Sequence, residues 1–149
     1  MTKPLNIYLA GAFFNIVDRG TISQLANTLR KQGHVVYVPM EHPIENAWDI
    51  SNKEWGKRVF IEDVDAIRKC DAVVAVVTHG MNDDTGTIWE IGFAYGINKP
   101  IYVIHNYQIK EGIASLMVWN SATRNFKLET MNDNKWFLLD KDTVEIEQK

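Results

Sequence analysis

Glu90 lies in the stretch TGTIWEIGFAYGI, residues 85–97, where it is the only carboxylate. Apolar residues flank it on every side, and the helical spacing predicts a helix buried almost all round. An ionised carboxylate without partners costs on the order of several kcal/mol to bury, so packing alone gives no reason to place one there. The plain alternative is a helix-edge glutamate paired with a lysine or arginine. Two further acids belong beside it. Asp84 stands six positions upstream, in the loop before this helix, where an aspartate can also serve simply as an N-cap. Asp63 falls on the preceding helix pattern, where it could be one of a solvated acidic set with Glu62 and Asp65. Taken together, the three carboxylates suit transfer at a glycosidic carbon through an oxocarbenium-like state. Metal chemistry finds no support: His34, His42, His79 and His105 have no ligand spacing with one another or with Cys70. His79 and His105 end strand patterns and could line a site, or be solvated loop histidines. Cys70 reads as a small apolar residue at a helix end.

The elements that must hold these residues alternate along the chain. Residues 5–11 (LNIYLAG) read as a buried first strand ending in a glycine turn. A helix opens at Asp18-Arg19-Gly20-Thr21 and runs to Lys31, with Gly33 as its C-cap. Residues 35–39 form a second strand, and 40–50 a loop. Ser51 and Glu54 make a capping box for a long helix reaching Cys70, with Trp55, Val59, Phe60, Val64 and Ile67 on its apolar face. The β-branched run DAVVAVVT, residues 71–78, has the pattern of a central parallel strand covered on both faces. Helix 85–98, strand 100–104, a short helix over 113–120 and an end strand over 125–129 follow; the tail from Met131 has no clear pattern. This alternation predicts one domain over residues 1–149: a doubly wound, mainly parallel five-stranded α/β sheet of flavodoxin-like or Rossmann-like type. Ligands bind such sheets outside the carboxyl ends of the strands, which directs attention to loops 10–18, 39–50, 79–86 and 105–115. Neither GxGxxG nor GxxxxGK[ST] occurs.

Composition narrows the classes further. The chain has 149 residues, 46% apolar, with five Trp, six Phe and five Tyr. That length can bury roughly two-thirds of the surface an unfolded chain exposes, and the aromatic content argues against disorder. A net charge of −3 without a basic stripe argues against a nucleic-acid polymer as partner. No apolar run approaches the ~18 residues of a membrane span. The N-terminal residues lead into a strand pattern instead of a signal peptide. With a single cysteine, the expectation is a cytoplasmic protein.

The segments IYLAGAFFN, EDVDAIRKCDAVVAVV, DDTGTIWEIGFAYGINKP and SLMVW, in this order from Ile7 to Trp119, resemble nucleoside 2-deoxyribosyltransferases. The DDTGTxWExGxAY stretch is the most specific of them. The resemblance implies that Glu90 is the nucleophile attacking C1′ of a 2′-deoxynucleoside and that Asp63 faces the nucleobase and helps protonate it. It implies also that Tyr8 orients the nucleophile, that Asp84 accepts the sugar 5′-hydroxyl, and that Phe14 flanks the ring. Gly11 and Gly86, in the strand-end loops, complete the expected substrate contacts. Transfer then proceeds by retaining double displacement, without metal or organic cofactor. A dry pocket of Phe13, Phe14, Trp89 and Met117 would keep water from the intermediate. The expected partners are 2′-deoxynucleosides, free purine and pyrimidine bases, and further copies of the chain. A homo-oligomer, hexamer or tetramer built from dimers, is implied, with Ser115 and Met117 reaching a neighbour's Glu90 pocket.

The chain departs from the family pattern in places. The family often has Asn where Ser115 stands. Related hydrolases of deoxynucleoside 5′-monophosphates carry Ser there, and also Ser at the position of Asp84. A carboxylate at Asp84 repels phosphate and so favours a free 5′-hydroxyl. Where glutamine commonly recognises the base, this chain reads Glu41-His42-Pro43. Two other readings stay open: an N-glycoside hydrolase, and a non-catalytic nucleotide-binding module on the same sheet.

Overall fold

The computed structural model describes residues 3–79, 84–107 and 115–128. Five strands form one parallel sheet: β1 (Asn6–Ala10), β2 (Val35–Tyr37), β3 (Ala72–His79), β4 (Ile101–Tyr107) and β5 (Arg124–Lys127). They lie in the order β2-β1-β3-β4-β5, the flavodoxin-like arrangement of doubly wound α/β folds. Every ladder is parallel. Tyr8 stands opposite Tyr37 on one side and Val73 on the other.

Helices cover both faces, and period-two alternation along β1 assigns its residues between them. Ile7 and Leu9 join Ile22, Leu25, Ala26 and Leu29 of α1 (Ile16–Lys31) in one aliphatic core. Tyr8 and Ala10 face the other way, with Val73, Ala75 and Val77 of β3. There they meet Ile67 of α2 (Asn52–Lys69), Ile91 and Ala94 of α3 (Thr85–Gly96), and Val118 of α4 (Leu116–Ser121).

Local chemistry explains the element ends. α1 starts earlier than Asp18 because Asn15 caps it, its side chain accepting from the Asp18 N–H at 2.8 Å. Its far end closes through Gly33 at φ +95°, a left-handed conformation that favours glycine. Ser51 accepts from the Glu54 N–H at 3.1 Å, but the Glu54 carboxylate takes Arg58 at 3.2 Å, so half of the expected capping box forms. β4 runs to Tyr107, beyond the expected end at Ile104, because its ladder with β3 continues through Asn106 and Tyr107. His105 consequently lies inside the strand: it is buried, with Nε2 2.7 Å from Asn125 Oδ1. It neither lines the site nor meets solvent. The side chain of His79, the expected start of α4 near Ile113 and the tail from Met131 fall outside the described residues.

One expectation fails informatively. α3 is not buried all round: of its residues Thr87, Ile91 and Ala94 are buried, whereas Trp89 is 48% and Tyr95 60% exposed. Its apolar surface exceeds what this sheet covers. Among the described residues, no helix is long and apolar enough to cross a membrane.

Candidate active site

β1 delivers Tyr8 to the α2/α3 face of the sheet, fully buried. Its phenol O–H donates to Glu90 Oε2 on α3. Among the described residues, none donates a hydrogen bond to Oε1 of the same carboxylate. Burial, then the Glu90 carboxylate, push the Tyr8 phenol far above its ordinary range, so it remains a donor throughout. Glu90 lines a cavity of about 410 Å³ between α2 and α3, together with Asp63, Gly86, Trp89, Trp55 and Phe60. This is within the usual range for a small-molecule site.

The carboxylates affect one another. Burial pushes Glu90 up to about 7; the Tyr8 hydrogen bond opposes this, and the charges of Asp63 and Asp84 add to it. Asp63 is pushed up to about 6, first by burial and then by Glu62, with His42 pulling the other way. Two acids that hold protons near neutrality and face one cavity can divide nucleophilic and proton-transfer roles.

Asp84 occupies the N-cap of α3. One oxygen accepts from the Gly86 N–H at 3.1 Å, and the other from the Thr87 hydroxyl. The cap fixes the carboxylate one and a half turns before Glu90, near enough for its charge to bear on that residue. Behind Tyr8 the rings stack outward. Tyr37 lies 5.6 Å from Tyr8, and the His42 ring lies 4.1 Å from Tyr37 at 6°. On α3, Trp89 stacks on Phe93 at 5.3 Å and tilts against Phe60 of α2 at 5.4 Å. Among the described residues, no three His, Cys, Asp or Glu side chains gather to hold a metal ion.

Residues 7–132 match the family model for nucleoside 2-deoxyribosyltransferase. The chain belongs to that family. A 2-deoxyribosyltransferase of Bacillus psychrosaccharolyticus is similar in structure, at 30% identity and a TM-score of 0.78, over 89% of this chain and 93% of that one. Two more distant structures share the fold. A CMP N-glycosidase of Clostridium botulinum does so at 20% identity and TM-score 0.55, over 85% of this chain and 98% of that one. A conserved protein of Enterococcus faecalis does so at 22% and 0.53, over 68% and 64%. No curated protein sequence matches the chain.

Within this deoxyribosyltransferase fold, Tyr8, Asp63, Asp84, Gly86 and Glu90 gather around one place. Other expected residues do not join them in the described chain. The Glu41 carboxylate is turned away to Arg30, which donates to both of its oxygens at 2.8 and 2.9 Å and also to the Val36 carbonyl. Gly11 has a packing reason of its own: a Cβ there would meet Ile22 Cδ1 at 2.5 Å. Phe13 and Phe14 pack on each other at 5.8 Å in the loop after β1 and stay exposed, Phe14 at 72%. Neither lines the Glu90 cavity. Met117 is 81% exposed, and with Tyr95 it borders a second groove of about 400 Å³ between α3 and α4, on the side of α3 away from Glu90. Ser115 precedes α4 and makes no capping bond with its side chain. His42 approaches Asp63 closely enough to influence it, through the stack on Tyr37.

The expected dry wall is therefore built differently. Trp89 is there as anticipated, but α2 supplies the rest: Trp55, Gly56, Val59, Phe60, Val64 and Ile67. Sequence reasoning assigns most of these to a packed core because their spacing is that of any buried helix face. The surplus was visible only as two large aromatics, Trp55 and Phe60, within six residues.

Proposed function

We propose that this chain transfers 2-deoxyribose between nucleobases of 2′-deoxynucleosides, with Glu90 as the nucleophile. The observation that carries the reading is the Tyr8–Glu90 hydrogen bond at the wall of a cavity that Asp63 shares. Tyr8 occupies Oε2, which leaves Oε1 to attack C1′. As the Oε1–C1′ bond forms, the C1′–N bond breaks; its electron pair goes to the base, which takes a proton from Asp63. A second base then attacks C1′ from the vacated side, gives its proton to Asp63 and releases the Glu90 carboxylate. Two inversions give net retention. Asp84, with its oxygens already oriented by Gly86 and Thr87, has lone pairs left to accept the sugar 5′-hydroxyl. The aromatic walls exclude the water that would otherwise take the sugar.

The active form is an assembly of identical chains. Leu116, Met117 and Tyr95 present apolar surface around the α3/α4 groove, and a second copy seated there would bring Ser115 and Met117 toward its own Glu90 cavity. Sedimentation should give a species larger than the monomer; a fully active monomer would exclude shared sites.

The deciding experiment incubates the protein with thymidine and adenine and follows deoxyadenosine. Its appearance, dependent on adenine, supports transfer. Release of thymine at the same rate with or without adenine indicates a hydrolase instead. Turnover of a deoxynucleoside 5′-monophosphate as fast as that of the nucleoside would remove the role given to Asp84.

A further inference from the structure

Gly56 sits inside α2, where glycine is a poor helix former. Gly33 needs its positive φ, and at Gly11 a Cβ would displace Ile22 Cδ1; Gly56 has neither reason, nor do Gly20, Gly92 and Gly96, but of these four Gly56 alone lines the Glu90 cavity. Its φ is not positive, and a Cβ added there meets no atom within 4 Å. The open space beside it is the cavity that Asp63 and Glu90 share. Gly56, Phe60, Asp63 and Ile67 recur at i, i+4, i+7 and i+11, so they form one stripe along α2 facing that cavity. Trp55 borders its outer end, and Trp89 closes against Phe60 at 5.4 Å. From Gly56 to Asp63 the stripe runs about 10 Å at the helical rise, beside a cavity of about 410 Å³. Flat aromatic walls favour a π-faced ligand, and the acid at the inner end suits a ring nitrogen.

We infer that Trp55, Gly56 and Phe60 form the slot for the nucleobase, and that the absent side chain at Gly56 admits a purine. This inference rests on the nucleoside reading above. A side chain at position 56 fills the far end of the slot, which a bicyclic base needs and a monocyclic base does not.

The test is a Gly56→Ala and Gly56→Leu series. Its readouts are kcat/KM for deoxyadenosine and thymidine as donors with cytosine as acceptor, and calorimetric binding of free adenine and thymine. Gly56→Leu is expected to shift the deoxyadenosine-to-thymidine ratio at least tenfold toward thymidine and to weaken adenine binding by a similar factor. Gly56→Ala should shift both less, while both substitutions raise the Tm. An unchanged ratio in folded Gly56→Leu overturns the inference, as does an equal loss for both donors accompanied by altered sedimentation. Should Gly56→Leu fail to fold, Phe60→Leu probes the same wall: adenine binding at least fivefold weaker supports the slot, and unchanged binding overturns it. Adenine binding that weakens along the series in a protein with no turnover of any donor would remove the transferase reading and leave the slot standing.

Discussion

The two faces of the sheet are made from alternate residues of the same strands, and they differ in how completely they are filled. On the α1 face, Ile7, Leu9, Val74 and Ile104 meet Ile22, Leu25 and Leu29, all aliphatic and all buried. On the α2/α3 face the strand residues are just as apolar, Val73, Ala75 and Val103 among them. The helices laid over them, however, line a cavity with two carboxylates, Asp63 and Glu90, and three half-exposed aromatics, Trp55, Phe60 and Trp89. One face is closed by packing. The other keeps space and charge that packing would have removed. Stability and chemistry thus lie on opposite sides of a sheet one residue thick, and substitutions on the two sides should have opposite signatures.

The largest contrast is between Glu90→Gln and Leu29→Ala. Loss of the nucleophile should lower transfer by at least 1000-fold, about 4 kcal/mol of barrier. The same substitution should stabilise the fold above neutrality. Burial raises Glu90 from 4.5 to about 7, so the folded state holds the proton more tightly, and wild-type stability declines as pH rises from about 4.5 to about 7. Glu90→Gln removes that decline: its Tm should exceed the wild-type value at pH 8, and the gap should close near pH 4.5. Leu29→Ala should do the reverse, costing roughly 2–5 kcal/mol in denaturant unfolding while the protein that remains folded keeps its specific activity. A Glu90→Gln protein with wild-type turnover, or one less stable at pH 8, would break the comparison.

Asp63→Asn sharpens it within the open face. Asp63 and Glu90 titrate as a pair, with values near 6 and 7. Below the lower value both are protonated and no nucleophile exists. Above the upper value both are ionised and the departing base finds no proton. The wild-type kcat/KM profile should therefore be a narrow bell between about pH 6 and pH 7. Asp63→Asn should cost about 100-fold or more, the range of general acid catalysis. It should also erase the alkaline limb and move the ionisation of Glu90 below 7, because the like charge is gone. A bell of unchanged width in Asp63→Asn would assign the proton elsewhere.

Tyr8→Phe tests the link between the sheet and the site. A hydrogen bond to a charged group is worth about 1.5–3 kcal/mol, so the rate should fall roughly 10- to 100-fold. Since the phenol lowers the Glu90 value against burial and Glu90 holds the higher value of the pair, its removal should push the alkaline limb of the profile to higher pH. A lower rate with the limb unmoved would make Tyr8 a packing residue only.

Much of this division was legible in the sequence, for identifiable reasons. The placement of strands and helices follows from apolar periodicity, and the caps at Gly33, Ser51 and Asp84 follow from residue chemistry, whereas periodicity left the strand order open between flavodoxin-like and Rossmann-like and the ladders decide it. Glu90 was conspicuous because a lone carboxylate among apolar residues has no packing explanation. The α2 wall was not legible, because Trp55, Phe60 and Ile67 keep the same helical period whether the space before them is filled or empty. His105 was misplaced for a related reason: a strand's end depends on its neighbour's length, and Asn125, its partner, lies 20 residues away. The Glu41 pairing was not legible either: its partner, Arg30, comes from the preceding helix, and no local pattern announces an ion pair that depends on how α1 folds back on β2.

Glu41 gives the smallest and most selective effect. Its loop position invites a role in base recognition, but its carboxylate is engaged by Arg30 on the α1 side of the molecule, with both side chains about 40% exposed. Exposed pairs contribute roughly 0.2–1 kcal/mol, and water screens this one. Glu41→Gln should therefore lower stability by less than about 1 kcal/mol, an effect that shrinks as salt is added. It should leave the preference among bases where it was, because the Arg30 guanidinium keeps its hydrogen bond to the Val36 carbonyl at 2.9 Å and holds the turn. Measuring kcat/KM for deoxyadenosine and thymidine alongside urea unfolding at two salt concentrations separates the outcomes. A change in the ratio of the two donors with stability intact would return Glu41 to the substrate and extend the open face around the edge of the sheet. A salt-dependent loss of stability with the ratio unmoved keeps it on the closed side, as a clamp between α1 and the end of β2.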